Sequence, residues 1–281
     1  MSRAASAESI PVQRASRYDA DTYFIETCDA LAAMSIDRDA FAHQHGVMLL
    51  KPDAAVTGAM GSAITWLLDH GYRIVGAYAV QLTYLHLRAL WYFNWHRATA
   101  ERRRVADRLA GLSPSLVLIV SHPDSDQPVS VRLTADKGPA DPAERQPNHL
   151  RHALAAGTYL LNKVHTPDDP DDVLRELSIY FPDPQLSAVI SACVDGADAT
   201  PDAVRIVDGI ESGLDLKSGD LAAAQDAVWQ GLEGVGTSDR PRTGEEWLAA
   251  LVDADRRGIG VDPWFRIVIE SSYLPMHREG K

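Results

Sequence analysis

The sequence contains few cysteines and no long apolar run. Cys28 and Cys193 are the only cysteines among 281 residues, too few for a disulfide framework or a cysteine-based zinc site. No stretch approaches the roughly eighteen apolar residues that a membrane-spanning helix needs. Residues 1–19 lack the apolar core of a secretory signal. We therefore expect a soluble, cytoplasmic protein with reduced thiols and no membrane partner.

An excess of positive charge is also missing, because the formal net charge at pH 7 is −12. Nucleic acid and anionic membranes are poor main partners for such a chain. A local basic pocket for a phosphorylated small molecule remains compatible with this charge. The hydrophobic fraction of 46% and the charged fraction of 23% are typical of globular proteins.

The apolar pattern between residues 46 and 182 predicts strands that alternate with helices. We predict strands at 47–50, 72–82 and 116–120, and a fourth that passes through 159–161 towards His165. Helices are expected at 58–70, 83–96, 99–112, 127–133 and 169–179, and a long loop at 134–150. This order is typical of a ferredoxin-like α+β fold, a βαββαβ sheet with helices packed on it.

The two ends of the chain carry no motif that indicates chemistry. Residues 1–45 are predicted to form an N-terminal extension, disordered to about residue 18 and then helical from 21 to 34. Residues 183–281 are predicted to form an appended, mostly helical region, with helices at 186–193, 221–232 and 244–256. The domain boundaries are therefore expected near residues 46 and 182.

The stretch from Asn162 to Asp168 carries a histidine between a strand and a helix. Glu176 follows His165 by eleven residues, so a strand–loop–helix hairpin can bring its carboxylate back beside the imidazole. A neutral imidazole oriented by a carboxylate is a competent nucleophile. A single loop histidine is more often only solvated, and ten histidines are spread over the chain. The case for His165 therefore depends on the rest of the pattern.

Two groups of basic residues receive different interpretations. Lys51 stands at the C-terminal end of the first strand, where ligands gather in α/β layers. The run Glu101-Arg102-Arg103-Arg104 opens a predicted helix and is interpreted as a solvated face.

A series of short motifs follows one another between residues 46 and 182. In order, they are Lys51-Pro52-Asp53, Ser113-Pro114, Arg132 ahead of Asp141-Pro142, Arg151, Asn162-x-x-His165, Glu176 and Tyr180-Phe181. Together, in this order and spacing, they resemble the nucleoside diphosphate kinase family.

The resemblance implies a phosphoryl transfer through His165. The terminal phosphate of ATP or another nucleoside triphosphate would move to His165 and then to an acceptor, with Glu176 and Lys51 as further catalytic residues. Mg²⁺ would arrive bound to the nucleotide, so no protein ligands for a metal are predicted. The resemblance also implies a homo-oligomer. The residues implied for nucleotide and phosphate binding are Lys51, Tyr92, Arg132, Arg151 and Asn162.

The sequence departs from the family at three places. One is the phosphate loop, where Gly138-Pro139-Ala140 occupy the area of the family's threonine. Thr166-Pro167 stand where the family has Gly-Ser, and Thr99-Ala100 stand where its base-stacking phenylalanine is expected. Trp91 or Trp95 could stack a base instead. Two hypotheses stay open. One is a phosphotransferase whose acceptor is a nucleoside diphosphate or a specialised phosphorylated metabolite. The other is a catalytically silent nucleotide-binding or scaffold protein.

Overall fold

The structure is a computed structural model that describes Tyr18 and residues 20–124, 126–234 and 239–278. The predicted disorder of the first residues falls on 1–17, which lie outside the described residues.

A four-stranded antiparallel sheet forms the centre of the described structure. The strands are β1 (Gly46–Leu50), β2 (Arg73–Val80), β3 (Ser115–Ser121) and β4 (Val164–His165). Their spatial order is β2-β3-β1-β4, and β1 pairs antiparallel with both β3 and β4. This arrangement confirms the predicted ferredoxin-like fold.

The described helices cover both faces of the sheet. None of those within the described ranges is long and apolar enough to span a membrane. In chain order they are α1 (Thr22–Ala33), α2 (Arg38–Gln44), α3 (Pro52–Val56), α4 (Met60–Asp69), α5 (Tyr84–Leu90), α6 (Ala100–Ala110), α7 (Val129–Lys137), α8 (Leu150–Ala153), α9 (Pro170–Tyr180), α10 (Gln185–Asp195), α11 (Thr200–Glu211), α12 (Leu221–Glu233), α13 (Gly244–Arg257) and α14 (Pro263–Tyr273).

Strand β1 is buried on both faces, which explains its unbroken apolar sequence. Successive strand side chains point to opposite faces. Val47 and Leu49 belong to a core shared with α1, α9 and α10, whereas Met48 and Leu50 belong to a core shared with α4 and α11. The strand that leads to Lys51 is therefore held rigidly between two layers of helices.

Helix α9 is buried along most of its length because α1 covers its outer side. It begins after Asp169, whose side chain accepts a hydrogen bond from the Asp172 amide at 2.9 Å. The Arg175 guanidinium donates to Asp21 at 2.8 Å, and the Ser178 hydroxyl donates to the Tyr23 carbonyl at 2.6 Å. The N-terminal helix thus fixes the helix that carries Glu176.

The C-terminal region is helical, as predicted, and it joins the core. Helix α11 buries Ala203 and Val207 against α4 and the sheet. Helices α12, α13 and α14 form a third core together with Val105 and Leu109 of α6. The sequence pattern missed α11 and α14, and the proposed domain boundaries stay predictions.

Two predicted elements near the site are wrong. Residues 157–163 form irregular structure instead of a strand, because Lys163 has a φ of +65° that no strand accommodates. Helix α7 continues to Lys137, and Gly138, with φ +80°, ends it. Within the predicted 134–150 loop, α7 extends to Lys137, Pro142–Glu144 form one short helix, and Leu150 begins another.

Candidate active site

His165 lies at the end of β4 rather than in a loop. Its Cα pairs with Leu49 of β1, so it lies beside the strand that ends at Lys51. The Lys51 amide donates to the Lys163 carbonyl at 2.9 Å, which joins the two segments. Backbone pairing therefore brings the predicted nucleophile and the predicted lysine to the same edge of the sheet.

The imidazole of His165 is held by a buried carboxylate. His165 Nε2 lies 2.8 Å from Glu176 Oε1, and the Tyr180 hydroxyl donates to Glu176 Oε2 at 3.1 Å. The Glu176 side chain is 5% exposed and that of His165 is 16% exposed. Because a carboxylate accepts hydrogen bonds, we assign the ring proton to Nε2. Nδ1 then carries the lone pair available for attack.

A cavity of about 360 Å³ opens from His165. Its lining contains aromatic and basic side chains and no carboxylate among the described residues. In a chain with a net charge of −12, this local excess of positive charge favours an anionic ligand. The lining residues used below are Lys51, Trp91, Trp95, Arg97, Arg102, Arg151, Tyr159, Asn162, His165 and His277.

Lys51 is buried at the inner end of this cavity and already has protein partners. Its ammonium donates to the Leu160 carbonyl at 2.8 Å and lies 3.5 Å from Asp53 Oδ1. Burial lowers the pKa of Lys51 to about 8, and the Asp53 carboxylate limits this shift. A phosphate at the inner end would favour the charged ammonium further.

Arg151 is buried at the same end, and its two terminal nitrogens bind backbone carbonyls. Nη1 donates to Gly138 at 2.8 Å and Nη2 donates to Val164 at 2.7 Å. Burial lowers the pKa of Arg151 to about 10. This guanidinium therefore ties the loop after α7 to β4, while it also contributes positive charge to the cavity.

Asn162 also lines the cavity, as the sequence predicts for a ligand-binding residue. Its side-chain amide nitrogen donates to the Tyr159 carbonyl at 2.9 Å. The amide oxygen is the remaining acceptor of the side chain. The Asn162–His165 stretch thus places one neutral polar group and one imidazole on the same cavity.

The structure does not bring Arg132 and Tyr92 to His165. Arg132 is paired with Asp124 and lines neither cavity that His165 lines. Tyr92 is 67% exposed and its ring packs against Phe93. The structure thus places neither side chain at His165, because the helix phase of α7 and the turn after α5 direct them elsewhere.

A second cavity, of about 450 Å³, lies on the other side of His165. Trp91 lines both cavities, and its ring centroid is 5.0 Å from that of His165. The Lys137 ammonium lies in this second cavity and donates to Thr166 Oγ1 at 2.6 Å. Thr166, which replaces the family's glycine after the histidine, therefore anchors a buried lysine.

Sequence reasoning missed four basic residues around His165. Arg102 was assigned to a solvated helix face, although it lines the first cavity. Arg97 and His277 line the same cavity, and Lys137 lines the second. The charged run at 101–104 could have indicated Arg102, whereas nothing in the sequence places His277 near the site.

Comparison with known proteins identifies a family of nucleotide-related phosphotransferases. The family model "Nucleoside diphosphate kinase" matches residues 44–186. Since this match covers half of the chain, the protein belongs to the nucleoside diphosphate kinase family.

The individual relatives are distant. A nucleoside diphosphate kinase of Thermococcus kodakarensis is 28% identical over 137 residues, which cover 48% of this chain and 75% of the relative. Thioredoxin domain-containing protein 6 of Xenopus laevis is 28% identical over 144 residues, which cover 50% of this chain and 22% of that protein. Among solved structures, a nucleoside diphosphate kinase of Aquifex aeolicus aligns with a TM-score of 0.43 at 20% identity, covering 50% of this chain and 97% of that one.

Proposed function

We propose that this protein is a phosphotransferase that moves the terminal phosphate of ATP or another nucleoside triphosphate through a phosphohistidine at His165. The observation that carries this proposal is the geometry of His165. Its Nε2 is held 2.8 Å from Glu176, at the end of a cavity whose described lining carries basic residues and no carboxylate.

The first half-reaction follows from this arrangement. His165 Nδ1 attacks the terminal phosphorus, a new N–P bond forms, and the bond from that phosphorus to the bridging oxygen breaks. The nucleoside diphosphate leaves with the bridging oxygen. The Nε2 proton stays on the ring and donates to Glu176, which stabilises the imidazolium that forms. Lys51 and Arg151 lower the cost of the developing negative charge, and Mg²⁺ enters as part of the donor.

The second half-reaction reverses these bond changes with an acceptor. An acceptor phosphate oxygen attacks the phosphorus, and the N–P bond breaks to restore the neutral imidazole. A nucleoside diphosphate or a specialised phosphorylated metabolite is the proposed acceptor. Trp91 and Trp95 line the cavity and are the aromatic rings that a base would contact. We also propose that the protein forms a homo-oligomer in the cytoplasm.

The experiment is incubation of the purified protein with Mg²⁺ and γ-labelled ATP, followed by intact mass before and after mild acid. We expect an acid-labile phosphate on His165. His165→Ala should abolish labelling while ATP affinity changes by less than about threefold, because the remaining lining still binds the nucleotide. His152→Ala, which changes a histidine of α8 outside the cavity lining, is the matched control.

One observation favours a second function. Pro167 and Thr166 replace the family's Gly-Ser after the histidine, and Thr166 is tied to Lys137. If ATP binds but no nucleoside triphosphate labels His165, the protein is better described as a nucleotide-binding or scaffold protein.

A further inference from the structure

Three basic side chains that are less buried than Lys51 line the mouth of the first cavity. This mouth cluster consists of Arg97, Arg102 and His277. Arg97 and His277 are exposed, and Arg102 is half-buried. His277 comes from the C-terminal region, outside the residues that match the family.

The C-terminal segment is fixed at this mouth by several backbone contacts. Ala98 and His277 form an antiparallel bridge, and the Arg278 amide donates to the Arg97 carbonyl at 3.0 Å. The Thr99 hydroxyl donates to the Pro275 carbonyl at 2.6 Å. The position of His277 is therefore set by the fold.

The mouth cluster encloses the ring of Tyr159. The Arg102 guanidinium carbon lies 4.8 Å from the centroid of this ring. The His277 ring meets it edge-on, with centroids 4.6 Å apart. Arg102 and His277 thus occupy space around Tyr159 that a stacking base would need.

Arg102 makes a longer hydrogen bond to the protein than the neighbouring arginines of α6. Its Nε is buried with no hydrogen-bond partner among the described residues, and Nη1 lies a long 3.4 Å from the Met276 carbonyl. By contrast, Arg103 donates to the Ala98 carbonyl at 2.8 Å, and Arg104 pairs with Glu101 at 2.9 Å. A buried donor without a partner is costly unless a ligand supplies the acceptor.

The charges of the cluster repel one another. Burial lowers the pKa of His277, and the positive charges of Arg102 and Arg97 lower it further. The described lining residues of the cavity provide no carboxylate to offset these charges. An anion bound between them would relieve the repulsion and would satisfy Arg102.

We propose that the mouth cluster binds a second phosphate group, on a ligand whose first phosphate lies at His165. Arginine is suited to this role because its planar guanidinium forms paired hydrogen bonds with phosphate oxygens. The ligand class is a small molecule with two separated phosphates, such as a bisphosphorylated metabolite. This inference rests on the proposed function in one respect only, the position of the first phosphate at His165.

The test uses alkane-1,ω-diyl bisphosphates with two to eight carbons, each compared with its monophosphate, in calorimetric titrations of the full chain. At one or more spacer lengths we expect the bisphosphate to bind at least about tenfold more tightly than the monophosphate, a ratio that corresponds to about 1.4 kcal/mol. R97Q/R102Q should remove most of this ratio and leave monophosphate affinity within about threefold.

Two further variants control for charge and for folding. R104Q also removes one positive charge from α6. Its side chain is 63% exposed and lies outside the cavity lining, so the ratio of bisphosphate to monophosphate affinity should be unchanged. H277Q changes the one residue of the mouth cluster that the C-terminal region supplies. Because His277 is exposed, this variant still tests the proposal if R97Q/R102Q does not fold. It should reduce the ratio by about threefold, since one of three contacts is lost.

Labelling of His165 by γ-labelled ATP separates the two proposals. A protein that labels His165 but shows no bisphosphate advantage at any spacer length overturns the mouth site and leaves phosphotransfer intact. A protein that shows the advantage but does not label His165 overturns the proposed reaction and retains the second phosphate site. An advantage that survives R97Q/R102Q overturns the assignment of this cluster.

Discussion

The inner end of the cavity and its mouth use positive charge in different ways. At the inner end, Lys51 and Arg151 are buried and donate to backbone carbonyls. At the mouth, the terminal nitrogens of Arg102 make only a long 3.4 Å contact with the Met276 carbonyl, although Nε of both Arg102 and Arg151 is buried without a partner in the described chain. The inner cations hold the fold together, so their hydrogen bonds cannot easily rearrange when a ligand binds. The mouth cations can rearrange around a ligand. Under the two proposals, the reaction occurs at the inner end of the cavity and the ligand is selected at its mouth.

The inner end lies wholly within the family-matched part of the chain, whereas the mouth takes one of its three basic residues from outside it. His165 and Glu176 both lie within residues 44–186, while His277 is supplied by the C-terminal region. The C-terminal segment reaches the cavity because α14 packs on the core that includes Val105 and Leu109 of α6. An added region has thus become part of the wall of the candidate site.

The largest expected effect at the inner end comes from Glu176→Gln. The glutamine amide carries no negative charge. The imidazolium therefore loses the partner that stabilises and orients it. We expect His165 phosphorylation to slow by about 100-fold, measured by single-turnover labelling with γ-labelled ATP. Tyr180→Phe, which removes only the second hydrogen bond to Glu176, is the control and should slow labelling by less than about tenfold. Labelling of E176Q at the wild-type rate would contradict the role of this carboxylate.

Arg151→Lys tests whether the inner guanidinium is mainly structural. A single ammonium cannot donate along both directions that Nη1 and Nη2 now use. We expect the free energy of unfolding to fall by about 2 kcal/mol, measured by urea denaturation. Arg205→Lys is the control. The side chains of Arg205 and its partner Asp202 are 72% and 61% exposed, so this ion pair should contribute less than about 1 kcal/mol. Equal losses in the two variants would refute the structural role.

A pH dependence of stability is expected to originate at Lys137, and it is the smallest of these effects when taken per pH unit. Burial, with the nearby charge of Arg151, lowers the pKa of Lys137 to about 7, while Asp168 and Glu176 oppose this shift. In the unfolded chain a lysine has a pKa of about 10.4. Between pH 7 and 10 the unfolded chain therefore binds a proton that the folded chain does not, and stability rises with pH.

Lys137→Met should remove this contribution. The free energy of unfolding of the wild type minus that of the variant should rise by about 1 kcal/mol per pH unit above pH 7 and stay flat below it. The buried Lys51, whose pKa is also lowered, is present in both proteins and cancels in this difference. A flat difference from pH 6 to 9.5 would contradict the assignment. Urea denaturation across this pH range provides the measurement.

Sequence reasoning succeeded where the site is built from local spacing. Asn162, His165 and Glu176 lie on a short hairpin of strand, loop and helix, and Lys51 ends the neighbouring strand. It failed for Arg132 because helix α7 is longer than its pattern indicated. Five residues turn a helix by about 500°, so Arg132 and Lys137 point to different sides, and the missed Lys137 is the one beside Thr166.

Apolar periodicity and short-range spacing in the sequence encode the fold and the approach of Glu176 to His165. Which cations the protein itself satisfies depends on long-range contacts of the tertiary structure. Whether a guanidinium is free depends on carbonyls from loops distant in the chain, such as Gly138 and Val164 for Arg151. Whether His277 reaches the cavity depends on how the C-terminal helices pack. Neither property has a local signature that a sequence can show.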